Sequence, residues 1–160
     1  MRVAEAFASA SLDDIKAALD GGKLIIYSTG RPPSADHPVT RSTALATFEL
    51  ASPAFGPDAE EGDVVSPNLT ANPVVATHVG TPSFARLVKA DGTVVADLSA
   101  GPGATEVKLS EVSAVPESPI GLTTLRMPLP PETVEWQKTE FGHVFVTSSE
   151  EPYRKLSTRG

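Results

Sequence analysis

The sequence predicts a mostly β protein: an antiparallel β-sandwich or jelly-roll-like barrel with a short N-terminal helix and a C-terminal extension. Three observations support this prediction. The chain has 160 residues, enough for one domain with attached segments. It contains 15 prolines, nearly twice the usual share of about 5%, and proline interrupts helices and central strands. Most apolar residues fall in short runs bounded by proline and glycine, which is typical of loop-rich β proteins.

One helix is predicted near the N-terminus, over about residues 12–20. Ser11 is a suitable N-cap, acidic residues follow it in the first turn, and two glycines come directly after the segment. The apolar stripe of this helix consists of Leu12, Ile15 and Leu19. Because so short a helix is marginal alone, it is expected to pack against the rest of the chain.

The strands are predicted from residue 23 onward, between loops rich in proline, glycine and acidic residues. A break is expected after residue 50, where Ser52-Pro53-Ala54-Phe55-Gly56-Pro57 follows. The predicted strands cover residues 24–27, 44–50, 73–79, two runs within 83–99, 105–109, 121–127 and 142–147.

Asp91-Gly92 predicts a hairpin within residues 83–99. A two-residue loop would place Arg86 opposite Asp97 and Val88 opposite Val95. A three-residue loop with Gly92 in a bulge is the alternative, and it would shift these pairs. The hairpin therefore has two candidate registers.

The chain is predicted to divide into three parts. Residues 1–22 form an N-terminal arm and short helix, 23–131 form the β domain, and 132–160 form a C-terminal extension. Pro128, Pro130 and Pro131 mark the end of the β domain.

The charge and cysteine content exclude several classes of protein. The net charge of −7 repels nucleic acid phosphates, so no nucleic-acid partner is expected. Without cysteine there is no disulfide, thiol nucleophile or cysteine-bound metal. No apolar run approaches the roughly 20 residues of a membrane span, so no membrane partner is expected.

No motif predicts an enzyme or a cofactor. The three histidines lie far apart in sequence at positions 37, 78 and 143, so their spacing does not support a metal site. Neither a nucleophile elbow nor a phosphate-binding loop occurs. We therefore predict no catalytic, cofactor-binding or metal-binding residues.

The candidate partner-interface residues lie in the C-terminal extension. Trp136 is the only tryptophan, and tryptophan is enriched at the energetic centres of interfaces. Its alternative role is to cover the core of its own domain. Three basic residues near the end of the chain could meet acidic patches on a partner: Arg154, Lys155 and Arg159.

Several short segments, taken in order, resemble a family of small structural proteins of tailed-bacteriophage virions. The segment 26–36 is similar to that family's IYSG-x-x-P-x-x-A-D opening, although Thr29 is inserted before Gly30. Further matches are Leu45-Ala46-Thr47, the Pro-Ala-Phe-Gly run at 53–56, the Gly-Thr-Pro-Ser-Phe-Ala-Arg run at 80–86, Asp91–Val95 and 101–109. Phe84 stands where the family often has tryptophan. The resemblance covers about residues 24–130.

The resemblance implies a non-enzymatic function as a capsid decoration or cement protein. Such a protein would bind the lattice of the major capsid protein, contact neighbouring copies of itself as a homo-oligomer on the capsid, and stabilise the head. It would be made in the host cytoplasm and end up on the capsid surface of the virion. The alternatives are a tail or head–tail connector component and a carbohydrate-binding β-sandwich for host attachment.

Overall fold

The computed structural model describes residues 1–56, 64–129 and 131, together with the backbone of 134–139 and 142–147. Within this part of the chain one α-helix, α1, spans Leu12–Ala18, and there are thirteen strands. The strands in the first half are β1 (Arg2–Val3), β2 (Lys23–Tyr27), β3 (Ala44–Phe55), β4 (Val64–Val65), β5 (Pro67–Leu69) and β6 (Val74–Val75). Those in the second half are β7 (Phe84–Val88), β8 (Val94–Gly101), β9 (Val107–Leu109), β10 (Pro119–Ile120), β11 (Leu122–Arg126), β12 (Val134–Thr139) and β13 (Gly142–Thr147).

The main sheet curls into a nearly closed barrel. Its strands follow the order β4-β11-β9-β8-β7-β2-β3-β5, and β1 pairs off this path with Ala96 and Asp97 of β8. The two ends of this path, β4 and β5, are separated in the chain by Ser66 alone. Because consecutive Cα atoms are about 3.8 Å apart, the two edges of the sheet must meet. The predicted β fold class is thus confirmed; the sheet is mixed, since β8 and β9 pair in parallel.

The inside of the barrel is filled with apolar side chains. Strands β2, β7 and β8 supply a contiguous group with zero exposure. These residues recur at every second position, as the alternation of a strand requires: Leu24, Ile26, Leu87, Ala96 and Leu98. Side chains of β3, β9 and β11 complete the same core.

Helix α1 forms as the sequence predicts. The Ser11 side chain accepts a hydrogen bond from the Asp14 N–H, and the Asp14 carboxylate accepts one from the Ser11 N–H, so a capping box starts the helix. Ile15 and Leu19 are fully buried in the barrel core. The helix therefore gains its stability from packing, which a helix of this length requires.

Residues before the helix also belong to this core. The Met1 side chain is buried, and Ala4 donates from its N–H to Val95 O at 2.8 Å. Strand β1 pairs with β8, with Arg2 opposite Asp97. The division of the chain at 22/23 and 131/132 stays a prediction, but residues on the N-terminal side of the first boundary pack into the barrel.

Strand β3 continues where the sequence predicts a break. It runs through Pro53 to Phe55, pairing first with β2 and then with β5. Pro53 lies between the two ladder contacts of β3 with β5, at Leu50 and Phe55, where the register shifts. Because neither ladder contact falls at Pro53, the N–H that proline lacks is not needed for the pairing of β3 with β5. The Asn68 side chain donates to Pro53 O at 3.1 Å and bridges the irregular stretch.

The hairpin combines both predicted registers. At the turn, Lys89 N–H donates to Thr93 O and Gly92 N–H to Lys89 O, which gives a three-residue loop with Gly92 at φ 92°. Val88 accordingly pairs with Val94, not Val95. A register shift after Leu87 then restores the pairing of Arg86 with Asp97. The bulge is what lets a three-residue loop keep this charge pair aligned.

Other predicted strands are confirmed, most of them with changed lengths. The strand predicted over 73–79 is reduced to β6, and the one predicted over 142–147 is β13. Five strands lie outside every predicted range, and four of them have only two or three residues: β1, β4, β5, β10 and β12. Strands of that length carry too few residues for a periodic pattern.

Candidate functional site

The residues predicted to form a partner interface are only partly described. Trp136 lies on β12, and its Cα partner on β13 is Phe145, within a separate two-stranded sheet. The side chain of Trp136 lies outside the described residues, as do Arg154, Lys155 and Arg159 entirely. Their predicted role at an interface stays a prediction.

The buried polar and charged residues of the described chain lie together on the barrel wall. They are Ser34, Arg86 and Asp97. Arg86 holds Asp97 with two parallel hydrogen bonds, Nε to Oδ1 at 2.7 Å and Nη2 to Oδ2 at 2.9 Å. This two-point geometry is the strongest form of an arginine–carboxylate pair. One of the two candidate hairpin registers placed the two charges opposite each other, but nothing in the sequence indicated that both are buried.

The pair lies on the outer face of the barrel, beneath a loop. Ala85 and Leu87 point into the core, so Arg86 between them points outward. The loop between β2 and β3, residues 28–43, covers it: Arg86 Nη2 donates to Ser34 O at 3.5 Å, and Arg31 Nη2 donates to Asp97 O at 3.1 Å. We call these contacts the wall clasp.

An aromatic pair extends the wall clasp along the same strands. Tyr27 and Phe84 are cross-strand partners, and their rings stack with centroids 5.0 Å apart and planes 11° apart. Phe84 has no exposed surface although it does not belong to the interior core. Burial raises the pKa of the Tyr27 phenol, while the Arg86 charge partly offsets this and the Asp97 charge adds to it.

The base of the covering loop is closed by short polar contacts. Ser42 Oγ donates to Ser28 O at 2.7 Å, and the Thr43 N–H donates to Ser28 Oγ at 3.0 Å. Gly30 has φ 103°, and a Cβ at this position would lie 2.8 Å from Arg41 O. Glycine is therefore required here, both by conformation and by space.

The wall clasp contains the residues on which much of the family resemblance depends. The segments 26–36 and 80–86 lie far apart in sequence but meet here through Tyr27, Ser34, Phe84 and Arg86. These motif residues hold a loop to a barrel wall. Arg86 and Asp97 bond to each other and to the covering loop, so the arrangement holds that loop in place.

The surface depressions of the described chain differ from one another in lining. A depression of about 390 Å³ has Tyr27 and several apolar side chains in its wall, beside Arg86 and two lysines. Another of about 530 Å³ lies beside β9 and β11 and is lined by Glu106, Lys108, Thr124 and Arg126, among others. Its Glu106 carboxylate accepts hydrogen bonds from the Ser99 N–H at 2.9 Å and the Ser99 hydroxyl at 3.4 Å. Ligand pockets are usually lined by apolar and aromatic side chains, whereas no aromatic residue lines this depression.

Two histidines are described, and each has a local partner. His37 Nδ1 lies 2.8 Å from Ser34 Oγ, and His78 Nδ1 donates to Ala44 O at 3.1 Å. Among the described residues no three histidine, aspartate or glutamate side chains come together as metal ligands would. No helix in the described part of the chain combines the length and apolarity needed to cross a membrane.

Comparison with known proteins adds no relative. No protein-family model matches the sequence, and neither a curated protein nor a solved structure matches it.

Proposed function

We propose that this chain is a non-enzymatic structural protein of a tailed-bacteriophage virion, a capsid decoration or cement protein. It binds the lattice of the major capsid protein on the outside of the head, beside further copies of itself. It is made in the host cytoplasm and its working location is the capsid surface.

One observation carries this proposal: the buried charged side chains of the described chain, Arg86 and Asp97, are bonded to each other in the wall clasp. A catalytic site needs polar groups aimed at a substrate, whereas these groups fix a loop on a barrel filled with apolar side chains. The ordered motif segments that resemble the virion family include the ones that build this clasp. A barrel that has an apolar core and its polar groups on the outside suits a protein that binds to the surface of a capsid.

In the proposed mechanism, many bound copies of the protein together stabilise the capsid. Each copy makes contacts of moderate strength, and the symmetry of the shell repeats them over many capsomers. Contacts that bridge neighbouring capsomers raise the cost of separating them without requiring any single tight site. The net charge of −7 keeps the free protein soluble before it reaches the shell.

Co-sedimentation with purified phage particles tests the proposal. The wild-type protein is expected to pellet with expanded capsids and to raise the temperature at which they rupture. The copy number per virion should match the many repeats of the shell. Binding to tails alone, or a copy number of a single ring, would instead establish a tail or connector component. Binding to glycans that is lost in Trp136→Ala would establish the host-attachment alternative.

A further inference from the structure

The most exposed large hydrophobic side chains of the described chain come from two neighbouring segments. They are Val75 at 57%, Val79 at 72%, Val112 at 64% and Val115 at 50% exposure. We call these four residues the valine surface. Scattered exposed valines are ordinary, but grouped apolar residues on a protein surface indicate a contact site.

Strand pairing brings the two segments side by side. Val75 pairs with Pro119 between β6 and β10. Gly80 and Ala114 exchange both backbone hydrogen bonds, at 3.1 and 2.7 Å. Since the pairing is antiparallel, Val79 before Gly80 and Val115 after Ala114 lie next to each other.

The paired segments 74–80 and 114–120, which we call the outer ribbon, are anchored in the barrel on their inner side. Ala76, Ala114 and Ile120 are all at most 2% exposed and belong to the core. The valine surface is therefore presented on a backbone that the core holds in place.

The valine surface lies in a stretch of chain almost free of charge. From Val64 to Ala85 there is no aspartate, glutamate, lysine or arginine, and from Val112 to Leu125 there is only Glu117. Charged residues make up 21% of the whole chain, so this depletion is local. The centres of protein interfaces are depleted of charge in the same way.

Glu117 is held in the middle of this stretch at a conformational cost. It is the single non-glycine residue of the described chain with positive φ, 69°, and it is exposed. The Ser118 N–H donates to Val115 O at 3.0 Å, and Pro116 precedes Glu117, so the turn is of type II. Glycine or asparagine is preferred at this position of a type II turn. The sequence thus keeps a carboxylate where glycine would fit with less strain.

We propose that the valine surface is the face that docks on the partner protein, and that the partner supplies an aliphatic patch with a lysine or arginine that pairs with Glu117. The apolar contacts supply buried area, and the ion pair fixes the register. This inference rests on the proposed function, since the partner is then the capsid lattice. A second copy of the chain fits less well, because the segments that form this face, 64–85 and 112–125, contain no lysine or arginine to pair with Glu117 across a two-fold contact.

Substitutions on the valine surface test the inference by co-sedimentation with expanded capsids. Val79→Asp and Val115→Asp should each weaken binding about tenfold or more, the effect of an important interface residue. Both positions are exposed, so the melting temperature should stay near that of the wild type. Thr93→Asp, at the exposed hairpin turn, is the matched control and should bind like the wild type.

Glu117 allows a second test, in which stability and binding change in opposite directions. Glu117→Gly should raise the melting temperature by roughly 2–4 °C because it relieves the strained turn. The same variant should weaken capsid binding several-fold, and Glu117→Lys should weaken it further. Glu5→Lys, an exposed charge reversal outside the ribbon, is the control.

The outcomes separate this inference from the proposed function. If wild-type protein does not pellet with capsids, the proposed function fails and this inference falls with it. If the wild type pellets and the Val79→Asp and Val115→Asp variants pellet equally well, the inference alone is overturned. It is also overturned if sedimentation velocity shows wild-type self-association that these variants abolish, because the occupant is then a second copy. Unchanged capsid binding by the Glu117→Gly variant would overturn the proposed ion pair between Glu117 and a lysine or arginine of the partner.

Discussion

At the level of single residues, Arg86 and Asp97 make the most consequential contact of the described chain. Both side chains are at most 5% exposed, so neither charge is solvated by water. Removing two charges from water is expensive, and only good geometry with further hydrogen bonds offsets that cost. The two-point pairing and the contacts to Ser34 O and from Arg31 meet this condition.

Breaking this pair from one side is expected to be far worse than removing both partners. Arg86→Met leaves Asp97 buried without its counter-charge and should cost about 3–5 kcal/mol of unfolding free energy. The double variant Arg86→Met/Asp97→Leu should recover much of that loss. Chemical denaturation of the two single variants and the double variant measures the coupling.

A surface charge pair provides the control. Lys23 and Glu49 are cross-strand partners on exposed positions of β2 and β3. Lys23→Met should change stability by no more than about 1 kcal/mol. Equal effects at the two sites would show that burial of the Arg86–Asp97 pair does not matter.

At the level of elements, the N-terminal segment behaves as part of the barrel. Strand β1 pairs with β8 through Arg2 and Val3, and the buried Met1 side chain contributes to the core. Sequence patterns could not reveal this, because a two-residue strand has no periodicity. The partner strand β8 and the core, not local propensity, give these residues their conformation.

Deletion of residues 1–10 is therefore expected to destabilise the fold. Truncating one buried methionine alone typically costs about 2–5 kcal/mol, and the deletion also removes the β1 partners of Ala96 and Asp97 on β8. Thermal unfolding should show a clearly lower midpoint than the wild type, while Ser9→Ala, at an exposed position, should leave it unchanged. A midpoint unaffected by the deletion would show that the segment is a dispensable arm.

At the level of the whole molecule, barrel closure decides which parts are most stable. Strands β2 and β7 have hydrogen-bonded neighbours on both sides and are buried on at least one face. Strands β6 and β10 pair only with each other, and each carries an exposed residue. The barrel and this outer ribbon thus differ in how many bonds must break before an amide is exposed.

Amide hydrogen exchange should follow this difference. Amides of β2 and β7 are expected to exchange only through global unfolding, whereas those of β6 and β10 should exchange faster through local opening. Exchange measured by mass spectrometry or NMR on the full chain checks this. Exchange in β7 as fast as that in β6 would contradict the barrel as the stable centre.

The sequence by itself determined the fold class, helix α1 and the approximate places of the longer strands. These features depend on local rules: the spacing of prolines, the cap at Ser11, and alternation in runs long enough to show it. The sequence also allowed Arg86 to face Asp97, in one of two candidate hairpin registers, because strand pairing from a hairpin turn is a short-range relation. Its candidates for an interface came from composition alone.

Only the tertiary structure decided which residues the folded chain buries and which it leaves for a partner. The loop over Arg86 and Asp97 comes from a distant segment, so burial of that pair has no local signal. No local pattern relates Val79 to Val115, and only the antiparallel pairing of Gly80 with Ala114 places the two valines next to each other. Burial and exposure depend on contacts between residues far apart in the chain, and a pattern within one segment cannot contain them.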